Sequence, residues 1–332
     1  MVRLGVLDQS PVSSESTPAA ALGHTVALAQ AAERLGYSRY WLAEHHGASG
    51  LAGTAPEVMV ARVAAATSTM RVGAGGVLLS HYSPVKVAET FRVLSALFPG
   101  RIDLGVGRAD GAPPAVAAAL QAGVDGGTGP FGRKLADLVV HVAAPEAGLP
   151  AVPAPGERPD VWVLASSSDG AGAAAALGLP LCFAHFISTG YGPQIVAGYR
   201  RSFQPSGARQ WSEANVAVAV VCADTDAEAE RLAASVDVWR LAPQDTRGPV
   251  PSVEEAKRRP RSALDQAKIT QNRKGLVVGG PERVADALAA LAADFDVEEL
   301  LVLTICHDPA ARLRSYELLA QAFELAPPGQ PT

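Results

Sequence analysis

Glu44-His45-His46 is the densest cluster of proton-exchanging groups in the chain. Imidazole titrates near neutral pH and is the usual acid–base group, so one of these two histidines suits proton transfer. Adjacent residues on a strand point to opposite sides, so His45 and His46 do not share a metal ion, and no metal site is expected. A second cluster, Ser166-Ser167-Ser168-Asp169-Gly170, joins an apolar run to an alanine-rich one. Backbone N–H groups at a helix start, with hydroxyls beside them, can cradle a phosphate; ordinary N-capping by Ser168 or Asp169 accounts for the same residues equally well. Arg108 and Arg133 are the cations placed to supply a counter-charge. Gly73-Ala74-Gly75-Gly76, and then Gly105 and Gly107, set glycine inside apolar runs. There it marks a bulge, a close approach by a ligand, or plain turn punctuation. The spacing does not open a helix as a dinucleotide fingerprint does, so a Rossmann reading is rejected.

These groups need elements to hold them. Short aliphatic runs at 2–7, 39–43, 71–79, 101–106, 160–165, 180–184, 215–222 and 299–304 read as strands, each followed by a longer Ala/Leu-rich helical stretch. One further helix is expected at 281–293. Thr17-Pro18 and Ser83-Pro84 supply an N-cap followed by proline at the first helical position, and Gly36 and Gly100 close those helices. Strict alternation implies parallel strands with right-handed crossovers, and eight such units fit a single-domain (β/α)8 TIM barrel over 1–325, with a disordered tail at 326–332. Residues just past each strand would then face one pocket. They include Asp8, the Glu44–His46 cluster, Tyr82, Arg108 and Asp110, then the serine run, His185, Asp224 and His307. Residues 242–275, with Pro243, Pro249, Pro251 and Pro260, form a long loop after strand seven that is expected to act as a lid over this mouth.

Composition narrows the function. Of 332 residues, 48% are hydrophobic, enough for a large core and incompatible with wholesale disorder. A net charge of −5 argues against a nucleic-acid face. Cys182, Cys222 and Cys306 each sit in an apolar run and read as buried free thiols in a reducing compartment. The start lacks a signal-peptide pattern and no apolar run is long enough to span a membrane, so the chain reads as cytoplasmic.

Taken together, the order and spacing of several segments resemble the bacterial luciferase-like family of flavin-dependent monooxygenases, in particular its shorter oxidoreductases, some attached to natural-product (secondary-metabolism) pathways. The segments are Tyr40-Trp41-Leu42-Ala43-Glu44-His45-His46, Val72 to Leu79, Ser83 to Glu89, Pro99 to Arg108, the serine run with Leu177-Gly178-Leu179-Pro180, and Val278-Gly279-Gly280-Pro281-Glu282. The resemblance implies a non-prolyl cis peptide at Gly75-Gly76, under a flavin ring. It implies phosphate contacts at Arg108, Arg133, Ser166 and Ser167, with Glu44 and Ser168 completing the cofactor contacts. It places His45 beside the reactive edge of the flavin as the catalytic group, with Asp110, a strand-end residue, as the candidate to orient it. The implied reaction uses reduced FMN, delivered by a separate flavin reductase, and O2 to oxygenate a small organic substrate. Homodimers through the second and third helices are implied as well, where Ala61, Ala64, Ala65 and Ala66 would permit close contact. Two departures limit the carry-over: Gly107 stands where luciferases carry a reactive cysteine, and 111–130 is short and unlike theirs. Aldehyde specificity and light emission are therefore not expected. A deazaflavin-dependent hydride-transfer enzyme and a non-catalytic flavin-binding protein remain the alternatives.

Overall fold

In the computed structural model, residues 2–108, 111–122, 131–143, 153, 158–207, 209–243 and 246–326 are described. The strands are β1 (Arg3–Asp8), β2 (Arg39–Leu42), β3 (Arg71–Leu78), β4 (Ile102–Gly107), β5 (Asp160–Ala165), β6 (Leu181–Ala184), β7 (Ala214–Cys222), β8 (Leu276–Gly279) and β9 (Glu299–Leu303). In the first half the helices are α1 (Pro18–Leu35), α2 (Pro56–Ala64), α3 (Pro84–Leu97), α4 (Pro114–Gln121), α5 (Phe131–Ala143) and α6 (Ser168–Ala176). The second half adds α7 (Gly192–Ser202), α8 (Asp226–Trp239), α9 (Val253–Arg258), α10 (Ala263–Arg273), α11 (Pro281–Phe295) and α12 (Pro309–Ala322). All pairings between strands are parallel, and β1 through β7 close through β9 back onto β1. The protein is a (β/α)8 barrel, and the expected architecture holds.

Alternation along each strand sorts the core into two layers. Leu4, Val6, Tyr40, Val72, Leu104 and Val302 face outward and pack under the helices. Leu7, Trp41, Trp162, Cys182, Ala217 and Leu301 fill the interior. Trp41 and Trp162 meet edge to face at 5.4 Å between ring centroids. Room for them comes from glycine: a Cβ on Gly75 would lie 2.8 Å from the Trp41 Cβ, and one on Gly5 would lie 2.9 Å from the Arg39 Cγ. Thr17 caps α1 by accepting from the Ala20 N–H, and Gly36 ends that helix at φ 89°, as the cap and glycine signals require. All three cysteines are free and buried, and burial pushes each thiol pKa up.

The structure corrects the element count. β8 was not expected: Leu276-Val277-Val278 is a four-residue strand with its glycine, and it pairs with the second half of β7, whose first half pairs with β9. β7 is nine residues long and serves both neighbours, so the extra strand leaves the eight-stranded closure intact. The 242–275 connection is less irregular than its prolines suggest. It contains α9 and α10, each begun by a full capping box, at Ser252 with Glu255 and at Ser262 with Asp265. Between them and the barrel, the Val250 N–H donates to Val12 O at 2.7 Å and the Gly50 N–H to Arg247 O at 3.0 Å. This connection is therefore hydrogen-bonded onto the loops after β1 and β2. Residues 327–332 of the expected tail lie outside the described residues. No helix among the described residues is long and apolar enough to cross a membrane.

Candidate active site

The carboxyl ends of the strands surround a cleft enclosing about 1020 Å3, part of it open to solvent. Its apolar lining comes from Leu7, Ala43, Leu164, Ala165, Ala184 and Ala217. On the β3–β4 side the surface is nearly bare backbone, formed by Gly75, Gly76 and Gly107. The Gly75-Gly76 peptide is cis, at the expected position. It sits where β3 carries one residue more than β4, between the Ala74–Leu104 and Val77–Val106 pairs. A Cβ on Gly76 would lie 2.8 Å from Gly105 O, so packing alone requires glycine there. Gly107 differs: a Cβ would meet nothing closer than 4.0 Å. Its missing side chain keeps the cleft open and serves no packing need.

Two polar groups flank this bare surface. One is Arg108, with Ser166 and Ser167 at the start of α6. Ser167 occupies the N-cap position, yet its hydroxyl makes no capping bond, leaving it available to a ligand. Arg108 reaches the exposed Asp169 at 3.3 Å, a solvent-screened pair of the weak kind. The other is His45, buried against the cleft wall. Burial, then the Arg247 guanidinium, then the His46 imidazole lower its pKa to about 4. At neutral pH the ring is therefore uncharged, able to accept a proton and to donate a hydrogen bond.

The two histidines part company as strand alternation suggests, although the cluster lies just beyond β2. His46 Nε2 sits 2.7 Å from Glu44 Oε1, and its ring meets His81 edge to face. Glu44 borders the cleft, but its carboxylate is already engaged: Oε1 also accepts from the Tyr82 hydroxyl at 2.7 Å and Oε2 from the Leu78 N–H at 2.9 Å. Burial, together with the Glu44 carboxylate, raises the Tyr82 pKa. Glu44 thus ties the end of β2 to the turn after β3. Lys134 braces that turn from α5, donating to the carbonyls of Leu79, Ser80 and Tyr82.

Other expected site residues fall elsewhere. Arg133 is exposed on α5 while Phe131 faces the cleft; two residues of helix turn a side chain through about 200°, so both cannot face it. Ser168 is exposed in the first turn of α6, beyond the lining formed by its two neighbours. Asp110 lies outside the described residues. Asp8 points out of the barrel: Oδ1 accepts from Arg312 at 2.6 Å and from the Ser10 N–H at 2.7 Å, and Oδ2 from the Tyr40 hydroxyl. Burial opposes its ionisation, but Arg312 and these hydrogen bonds prevail and lower its pKa. His185 packs edge to face on Phe295, and His307 sits 3.2 Å from the Ser14 hydroxyl. The sequence reading missed Gln9, Phe131 and Ile187 in the lining, and Arg247 beside His45. Gln9, one residue past β1, was findable by the strand-end rule; Arg247 comes from the irregular part of the 242–275 connection and carries no local signal.

Comparison with known proteins agrees with this geometry. A family model described as luciferase-like monooxygenase matches residues 2–138 and 140–297. The N-acetyl-S-alkylcysteine monooxygenase of Bacillus subtilis (strain 168) is 37% identical over 332 residues, covering 97% of this chain and 98% of that one. A luciferase-like monooxygenase of Escherichia coli (strain K12) is 36% identical over 327 residues, covering 97% of each. The crystal structure of apo-MsnO8 aligns with a TM-score of 0.89 at 41% identity, over 98% of this chain and all of the other. With matches of this extent along the barrel and across its mouth, the chain belongs to the luciferase-like monooxygenase family.

Proposed function

We propose that this protein oxygenates a small organic substrate with O2 and reduced FMN, the FMN arriving from a separate flavin reductase. The observation that carries the proposal is the bare backbone surface at Gly75, Gly76 and Gly107, set between an anion-accepting corner and an uncharged, buried histidine in one cleft. A flat ring needs such a side-chain-free face, and a phosphate needs the cation and the free donors at Arg108, Ser166 and Ser167. The residues present therefore fit the cofactor. When bound, reduced FMN supplies the electrons for oxygen activation. Gly107 contributes only space; the luciferase cysteine has no counterpart, so no thiol chemistry enters. His45, uncharged at working pH, hydrogen-bonds at the reacting edge and carries a proton to or from its imidazole nitrogens. The loops joined through Gly50, Arg247 and Val250 wall off that side from water. Pairing of two copies through α2 and α3 belongs to the same reading, supported by the exposed Val58, Val93 and Leu97 on those helices.

Titration of the purified protein with reduced FMN and with a reduced deazaflavin, followed by oxygen uptake, tests the assignment. Binding and oxygen consumption with FMN are expected. Binding of the deazaflavin alone would replace the proposal with a hydride-transfer reaction. His45→Ala should bind FMN near normally and lose about 100-fold or more in product formation; unchanged product formation would remove His45 from the mechanism.

A further inference from the structure

A second cleft, enclosing about 750 Å3 of which part is open to solvent, lies beside the first, and the two share Gln9, Phe186 and Ile187. It lies over the β7–β8–β9 side of the mouth. Its wall is apolar, formed by Ala219, Val236, Leu276, Leu303 and Ile305. Into this apolar wall the fold sets two guanidinium groups, Arg240 at the end of α8 and Arg247 from the following connection, while no carboxylate lines the cavity among the described residues. Arg240 donates to Phe186 O at 2.8 Å and to Asn272 O at 3.5 Å, both neutral carbonyls, and among the described residues no carboxylate reaches it within 4.0 Å. The Arg247 guanidinium lies over the Trp239 ring, 4.5 Å from its centroid, and donates to Ala242 O. The Trp239 indole N–H donates to Gly248 O at 2.7 Å, so ring and guanidinium are held in place.

We infer that this cavity is the substrate site, and that the substrate is a small organic carboxylate with an apolar body, its anion on Arg240 and Arg247 and its reacting end directed past Phe186 into the first cavity. The inference rests on the first cavity being the flavin site. Arg240 is half-buried against neutral carbonyls; holding a guanidinium so without a counter-charge among the described residues is costly, and a planar carboxylate matches its donor geometry. Burial lowers the pKa of Arg240, although Asp237 acts in the opposite direction, and an incoming anion would relieve that cost. The same anion would offset the field that Arg247 imposes on His45, so substrate binding also makes His45 easier to protonate.

Calorimetry with hexanoate and with its neutral counterpart hexanamide, on the full-length purified protein without flavin, tests the site directly. Hexanoate should bind about ten-fold or more tightly than hexanamide. Arg240→Gln should remove that preference while leaving hexanamide binding unchanged, and Arg240→Lys should restore part of it. The imidazole resonances of His45 should titrate at higher pH with hexanoate present than with hexanamide. Equal affinities for the two ligands, no binding of either, or a preference that survives Arg240→Gln would each overturn the inference. The flavin titration fails or succeeds separately: a carboxylate preference without FMN binding leaves this site standing and removes the cofactor reading, whereas FMN binding without the preference does the reverse.

Discussion

At the amino-terminal end of the barrel Arg39, Arg71, Asp103 and Glu299 pair with one another, whereas at the carboxyl end Arg108 meets an exposed aspartate among the described residues, and the Ser167 hydroxyl makes no capping bond. Asp103, fully buried, accepts from Arg39 at 3.0 Å, from the Trp41 indole at 2.8 Å and from Arg71. Glu299 accepts from Arg39 and Ser38 and from Asn215 at 3.1 Å. Burial works against the ionisation of Glu299, yet Arg39 and these hydrogen bonds lower its pKa. Arg39 also lies over Trp162, 4.8 Å from its ring. Arg39, Arg71, Asp103 and Glu299 thus each have an oppositely charged partner inside the molecule. At the mouth the cleft wall thins out to glycine and alanine, and while Glu44 is engaged by His46, Tyr82 and the Leu78 N–H, Arg108, Ser166 and Ser167 border open space. Charges that are neutralised internally report stability, and those left facing a cleft report function; in barrels the two sort to opposite ends.

The largest expected effect lies at the closed end. Asp103→Ala should lose about 3–5 kcal/mol of stability by removing the fully buried carboxylate that Arg39, Arg71 and the Trp41 indole share, as measured by urea denaturation at neutral pH. A loss below about 1 kcal/mol would mean that the network is not the structural plug its closure suggests. Next comes His45, a mouth residue whose burial ties its titration to folding. Its folded pKa of about 4 lies below the ordinary 6.5. As pH falls between those values the unfolded chain takes up a proton that the folded chain refuses. Stability should therefore drop through this window, by on the order of 3 kcal/mol, and level off below it. His45→Asn should flatten that part of the profile; an identical profile in the variant would place the titration elsewhere. The smallest effect on folding belongs to Gly107→Val, which has open space for its side chain and should change the melting temperature little. FMN affinity should nevertheless fall about ten-fold or more, because the added carbons enter the cleft. Instability without loss of binding would reverse the assignment of this glycine.

Much of this architecture was legible before any coordinate. Prolines at the starts of α1, α2, α3 and α11, and Gly36 past the end of α1, punctuate the chain through φ preferences that are local. The short aliphatic runs named eight barrel strands because burial on both faces of a parallel sheet leaves a continuous apolar signature. β8 escaped because it directly follows the proline-rich 242–275 stretch and lies outside the strand–helix alternation that marks the equally short β2 and β6. The site was legible in part. Arg108, Ser166, Ser167 and His45 line one cleft because each follows a strand, a property readable from position alone, while Gly75 and Gly76 lie within β3 and were marked by glycine inside an apolar run. Arg133 and Ser168 are exposed outside the cleft lining because the direction of a helical side chain depends on rotation about the axis, which a residue number constrains only loosely.

The amino-acid sequence by itself determined the alternation of strands and helices, the barrel that follows from it, and the strand ends from which the cleft is made, because all of these rest on local periodicity and backbone preference. Only the tertiary structure decided which charges cancel and which stay available. Arg39 and Arg240 are equally arginines in the sequence, but Arg39 is folded against Asp103 and Glu299, whereas Arg240 is folded against carbonyl groups at the edge of a cavity. Electrostatic energy depends on distance and burial, and the partners that set both lie far apart along the chain.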